Sequence, residues 1–163
     1  MTISSRWFVI ASVIFLCAGQ AAAQATNTPV GRFSGTLRGV NLVGASDVTR
    51  YSGTVQIEPS TSTKPDAWRV MIRLSAISGY ANAQSQLQWT ISPGRCGSTL
   101  QPLAPAAGLP PLELRSGGNA ELTYDGLFLL VPNGSFNLVV FNNGVNQANI
   151  VACSNLKYDA PKK

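Results

Sequence analysis

The chain of 163 residues contains no histidine. That absence removes the usual general base, the Ser-His and Cys-His nucleophile pairs, and the commonest ligand for copper and zinc. Charge is also scarce: charged residues make up 12% of the sequence, twelve basic against seven acidic, for a net +5. So mild a basic excess, scattered but for the terminal pair Lys162-Lys163, is far from the balance of a nucleic-acid binder. No P-loop, G-x-S-x-G or dinucleotide fingerprint occurs, nor any internal repeat, low-complexity tract or convincing amphipathic helix. The seven acids are Asp47, Glu58, Asp66, Glu113, Glu121, Asp125 and Asp159. They fall mostly in expected turns or on wet strand faces, where solvated charge is the ordinary reading. Lys64 and Lys157 sit among polar or turn residues, which leaves Ser-Lys catalysis little support.

Long apolar runs are equally lacking. The only candidate, Trp7 to Leu16, follows Arg6 and stops well short of the roughly 20 residues a hydrocarbon core requires. Small residues follow in CAGQAAAQA, with an A-x-A pattern ending at Ala23 or Ala25. This is the layout of a secretory signal peptide over residues 1–25, with 26–163 as one mature domain and a short flexible tail from 159. Leu16 before Cys17 is too bulky for a lipid-attachment site, so the expectation is a periplasmic or secreted protein with no membrane span. Cys17 leaves with the leader, and Cys96 and Cys153 remain, 57 residues apart. An even pair in an oxidising compartment reads as a disulfide. A two-thiolate metal site is the poorer alternative, because no third or fourth soft ligand accompanies it.

What the sequence has is two-residue periodicity. Trp68, Val70, Ile72 and Leu74 alternate with Arg69, Met71 and Arg73, as on a half-buried strand. Leu87, Trp89 and Ile91 alternate with Gln88 and Thr90, and Tyr51, Gly53, Val55 and Ile57 form a third such run. Phe33–Arg38, Ala120–Tyr124, Leu127–Val131, Ser135–Phe141 and Ala148–Cys153 complete the expected strands, the last ones continuously apolar as central strands often are. Asn133-Gly134, Asn143-Gly144 and Gly117-Gly118-Asn119 are turn signals, and Pro102–Pro111 is a proline-rich loop. About eight short antiparallel strands with no helices between them predict an all-β sandwich or flattened barrel. Trp68 and Trp89 fall on inward positions, so core packing outweighs a sugar-stacking platform that would include Tyr80. Arg69 and Arg73 share one face and are candidate anion or partner contacts.

In this order the segments resemble the copper/zinc superoxide dismutases from about Tyr51 to Leu156. Trp68 to Leu74 resembles that family's strand before its HGFHxH segment, and Gln86 to Ile91 falls where that segment belongs. Cys96 stands at the first family cysteine. Gly108-Leu109-Pro110-Pro111 resembles the G-D-L-x-N loop, and Gly117-Gly118-Asn119-Ala120 the D-G-x-A turn. Leu138 to Phe141 resembles L-V-V-H, and Val151-Ala152-Cys153-Ser154 resembles L-A-C-G with the second cysteine. The resemblance implies a Greek-key sandwich tied by Cys96–Cys153.

The departures remove the family's site. Its copper histidines are replaced by Gln88 and Thr90, or by Trp89 and Ile91 if the register slips by one; the L-V-V-H histidine becomes Phe141. The zinc aspartate becomes Gly108, the active-site arginine becomes Ile150, and the charged guiding loop shrinks to Asn142 through Gln147. The stretch from Cys96 to Gly108 is too short for the zinc histidines. Copper redox cycling needs nitrogen donors in fixed geometry. The expectation is therefore a protein with no cofactor and no dismutase activity. It would be an exported binding or structural module, with Arg69, Arg73, the Pro102–Pro111 loop and the Asn142, Asn143 loop as candidate surfaces for a partner of unknown identity. The alternative is an envelope enzyme using an unrecognised carboxylate pair, for example on glycans.

Overall fold

A computed structural model describes residues 31–40, 51–61, 66–77, 86–142 and 144–161. The leader-like segment 1–25, Asp47, Tyr80 and Asn143 lie outside these residues. Eight strands run in chain order: β1 (Arg32–Gly39), β2 (Tyr51–Pro59), β3 (Ala67–Ala76), β4 (Gln86–Pro93), β5 (Leu112–Glu113), β6 (Asn119–Leu127), β7 (Phe136–Asn142) and β8 (Ile150–Asp159). Every pairing is antiparallel, in the order β5-β4-β7-β8-β1-β2-β3-β6. Arg115 N–H reaches Asn119 C=O at 2.9 Å, bringing β5 back beside β6 and nearly closing the barrel. Strands β4, β5 and β6 then follow one another, and β7 returns to the far side of β4, which is a Greek key. Among the described residues the only helical pieces are two three-residue 3-10 turns, Ala106–Gly108 and Gln147–Asn149, and no helix is long and apolar enough to cross a membrane.

The alternation seen in the sequence builds this core. On β3, Val70 and Ile72 are fully buried and Leu74 nearly so, while Arg73 is exposed and Arg69 and Met71 are half-buried. Trp68 and Trp89 are both buried, as core residues. Phe33 on β1 gathers Trp68, Phe136 and Tyr158, with ring centroids 5.1–5.7 Å apart. At the barrel seam Trp89 meets Tyr124 and Phe128, and its indole N–H donates to Pro110 C=O at 2.8 Å, pinning the proline-rich loop. Edge-to-face arrangements of this kind add about 0.5–1.5 kcal/mol each to simple burial.

Three elements differ from the expectation. Residues 127–131 keep a strand-like alternation, with Phe128 and Leu130 buried and Leu127, Leu129 and Val131 exposed, but form no strand beyond Leu127. The reason is that β3 runs out: its first residue, Ala67, is the Cα partner of Leu127. The eighth strand is instead β5, at the end of the proline-rich loop. Finally β8 continues past Cys153 to Asp159, which accepts a hydrogen bond from Ser34 Oγ at 2.9 Å. The turns sit where expected: Gly117 and Gly118 have φ of 124° and 77°, and Asn133, at φ 62° after Pro132, lets Gly134 N–H donate to Val131 C=O at 3.0 Å.

Candidate functional site

The outer faces of β4, β7 and β8 carry five of the positions singled out by sequence: Gln88, Thr90, Phe141, Ile150 and Cys153. Side chains alternate across a strand, so residues opposite one another in the ladder share a face. Gln88 is opposite Phe141, and Phe141 opposite Ile150. Thr90 is opposite Val139, and Val139 opposite Cys153. Ser92 is opposite Asn137, and Asn137 opposite Asn155. A bulge between Val140 and Phe141 skips Val151, which packs against the main core and leaves Ile150 on the outer row. Of the two registers left open, Gln88 and Thr90 share the face of Phe141, whereas Trp89 and Ile91 are fully buried in the core. Gly108 lies in a 3-10 turn of the proline-rich loop, outside these rows.

The middle of these rows is roofed, while Gln88 and Asn155 at their ends are exposed. Val139, Phe141 and Cys153 form a second apolar cluster, covered by Leu100 and Val145 from the flanking loops and by Ile150 at the start of β8. Thr90, expected on a wet face, is consequently completely buried. The Cys96–Cys153 disulfide ties the roof to β8, with a Cα–Cα distance of 5.9 Å. Cys96 N–H also donates to Asn155 Oδ1 at 2.8 Å, and Gly94 N–H to Ser135 C=O at 2.8 Å, so the segment is held at several points. Gln147 Nε2 reaches Ser98 C=O at 3.5 Å, joining the two roofing loops. Under the roof, Ser92 Oγ and Asn137 Oδ1 are buried without a protein partner.

The donor set of this region does not fit copper or zinc. The row that the resemblance assigns to metal holds one amide, Gln88, beside a phenyl and a butyl side chain. The next row holds one hydroxyl, an isopropyl group and a sulfur already bonded to sulfur. Borderline and soft cations want imidazole or thiolate nitrogen and sulfur. Among the described residues no group of three or more Asp, Glu or Cys side chains is placed to hold a metal ion.

The second candidate surface is the outer face of β2, β3 and β6. Arg69 and Arg73 lie directly opposite Asp125 and Glu121. Arg69 engages Asp125 with two bonds, Nε to Oδ1 at 3.0 Å and Nη2 to Oδ2 at 3.1 Å. Hydrogen bonding from Arg69, assisted by Ser60, holds the Asp125 carboxyl below its ordinary value, and the same bond to Asp125 raises the Arg69 guanidinium. The Arg73–Glu121 pair is 3.3 Å apart but 77% and 63% exposed, so it contributes little to stability. Between the two pairs lies a shallow cleft of about 120 Å³ over Thr54, Gln56, Met71 and Thr123. Both arginines are thus answered by an acid of the next strand, a pairing invisible to sequence because it depends on the β3–β6 register.

Asn142 is exposed at the end of β7, at the mouth of the loop that carries Val145 and Gln147. An open cleft of about 730 Å³, missed in the sequence, lies beside the disulfide over Thr36, Arg38, Val40 and Asn155. Arg38 is opposite Cys153 on the neighbouring strand, which only the β1–β8 register reveals. No protein-family model matches the chain, and no curated protein matches it significantly.

Proposed function

We propose that this chain is an exported, non-catalytic β-sandwich that serves the cell envelope as a binding or structural module. In this reading it is a scaffold of the superoxide dismutase kind from which dismutase chemistry has been lost. The observation that carries the reading is the buried cluster of Val139, Phe141 and Cys153, covered by Leu100, Val145 and Ile150 where the resemblance would require a solvent-open metal centre. A closed apolar cluster offers an incoming anion neither a ligand position nor a positive field. The nearly closed eight-strand barrel and its single bridge suit the scaffold half of the proposal. The bridge and the leader-like segment support export.

The remaining polar surface suits recognition rather than turnover. Three of the acids are engaged by arginines: Asp125 by Arg69, Glu121 by Arg73 and Asp159 by Arg32 at 3.8 Å. Loops held on a rigid scaffold, here the one opening at Asn142, are common places for partner contact. The test is to express the full chain in a bacterial host, fractionate the cells, and alkylate free thiols. The shed fraction, supplied with copper and zinc, is then assayed for dismutation. Processed, thiol-free protein outside the cytoplasm with no activity above that of the free metals supports the proposal. Reduced protein in the cytoplasm, or metal-dependent turnover, would sink it.

A further inference from the structure

The outer face of β1 and β3 carries Arg32, Arg38, Arg69 and Arg73. Three of these are answered by an acid: Arg32 by Asp159, Arg69 by Asp125 and Arg73 by Glu121. Arg38 is exposed, and among the described residues no carboxylate pairs with it. Its neighbours across the ladders are Cys153 of β8 and Ser52 of β2. The pairs Ser34–Lys157 and Arg38–Cys153 keep one register, which sets Thr36 opposite Asn155, and on its other side Thr36 is opposite Thr54. Neither row carries an acid across β8, β1 and β2, so the field over this patch is positive. Exposed Arg95, beside Cys96 in the chain, adds to it.

This patch and the disulfide line the open cleft of about 730 Å³. Asn155 is held there in one orientation. Its Oδ1 accepts the Cys96 N–H at 2.8 Å, which leaves Nδ2, with two N–H donors, free of any described partner. Cys96 is itself fixed by its bond to Cys153. The Thr36 hydroxyl has no described partner either. A guanidinium, an amide and a hydroxyl thus line one cleft with no carboxylate to take up their protons.

We propose that this cleft binds an oxyanion, the carboxylate or phosphate group of an organic ligand, through Arg38, Asn155 Nδ2 and the Thr36 hydroxyl. The guanidinium presents a planar fork of N–H groups that matches two oxygens of such a group side by side. Thr36 is two residues from Arg38, about 7 Å along the strand, a span the long arginine side chain and one anion bridge together. Exposed Val40, also lining the cleft, meets the ligand's apolar part. Because Cys96 aims Asn155 before any ligand arrives, little ordering accompanies binding. The site gives the binding module proposed above its ligand class, and rests on that reading.

Titration of the purified, oxidised protein with inorganic phosphate and, separately, with acetate tests it, at constant ionic strength and read from N–H signals by NMR. The Arg38 Nε–H and Asn155 Nδ2 signals should shift together and saturate, with a Kd of about 1–10 mM. Arg38→Gln should weaken binding about tenfold. Asn155→Asp keeps an oxygen for the Cys96 N–H but replaces the donor with a second carboxylate oxygen, and should weaken binding by about tenfold as well. Arg32→Gln removes the same charge about 20 Å away along β1 and should leave the affinity unchanged. The spectra also show whether each variant is folded. Tighter phosphate binding identifies a phosphate-bearing ligand and tighter or equal acetate binding a carboxylate; both support the site. Shifts that rise without saturating, that are equal at Arg32, Arg69 and Arg73, or that persist unchanged in both variants overturn it. The titration needs neither export nor metal, so its failure is distinguishable from failure of the fractionation and dismutation test.

Discussion

Removing the bridge with Cys96→Ala and Cys153→Ala together isolates what the crosslink contributes, because the native loop keeps its other anchors. Asn155 still accepts from residue 96, Ser135 from Gly94, and Leu103 N–H still donates to Ile91 C=O at 2.9 Å. The folded state therefore changes little, and the effect falls on the unfolded chain, which gains the freedom of a 57-residue loop. Loop-closure entropy gives about 4 kcal/mol at 25 °C. For a domain of this size that corresponds to about 12–16 °C in melting temperature. The small buried sulfur of Cys153 in the outer cluster adds about 1 kcal/mol of lost packing. The assay is urea unfolding followed by tryptophan fluorescence, since Trp68 and Trp89 report the main core. A loss below about 1 kcal/mol would refute the reasoning, as would local fraying of the roof with an unchanged global midpoint.

Further expectations follow from the same structure. Ile72→Ala removes a fully buried side chain at the centre of β3 and should cost about 3 kcal/mol of unfolding free energy, read from the same urea curves. The Asp125 carboxyl is held below its ordinary 3.8, so its contribution to stability is complete above that pH and lost as pH falls through the lower folded value. Asp125→Asn should accordingly flatten the acid side of a melting-temperature profile below about pH 4 and leave its neutral-to-alkaline shape unchanged. Phe141→His places an imidazole among Val139, Leu100 and Val145 and should destabilise by about 3 kcal/mol. Titrated with copper, that variant should still bind no stoichiometric ion.

The strand pattern was legible wherever one face meets the core and the other meets water. Val70, Ile72, Val55 and Ile57 are read directly from period two, and the continuous run Phe136–Phe141 correctly signals a strand covered on both sides. Thr90 was misread because it shares a face with Val139 and Cys153, whose cluster is covered by other segments, and periodicity within β4 says nothing about such a cover. Residues 127–131 were misread for a related reason: their alternation is real, but a strand also needs a neighbour, and β3 has ended. The two residues of β5 are too few to carry any period. At the candidate site, the sequence located Gln88, Phe141, Ile150 and the cysteine pair; the ladder brings Gln88, Phe141, Ile150 and Cys153 onto neighbouring rows of one face, with Cys96 bonded to Cys153. Neither the acid partners of Arg69 and Arg73 nor the cleft beside Arg38 could be foreseen, because both depend on register across strands distant in the chain.

The most direct measurement is native mass spectrometry of the processed protein isolated from the envelope of its own host and sprayed without added metal. The expected result is a chain two mass units light for its disulfide, with copper and zinc at background levels. Stoichiometric copper or zinc bound to it would contradict the central claim, since an ion could be held only if the Val139–Phe141–Cys153 cluster were opened and other donors brought into it.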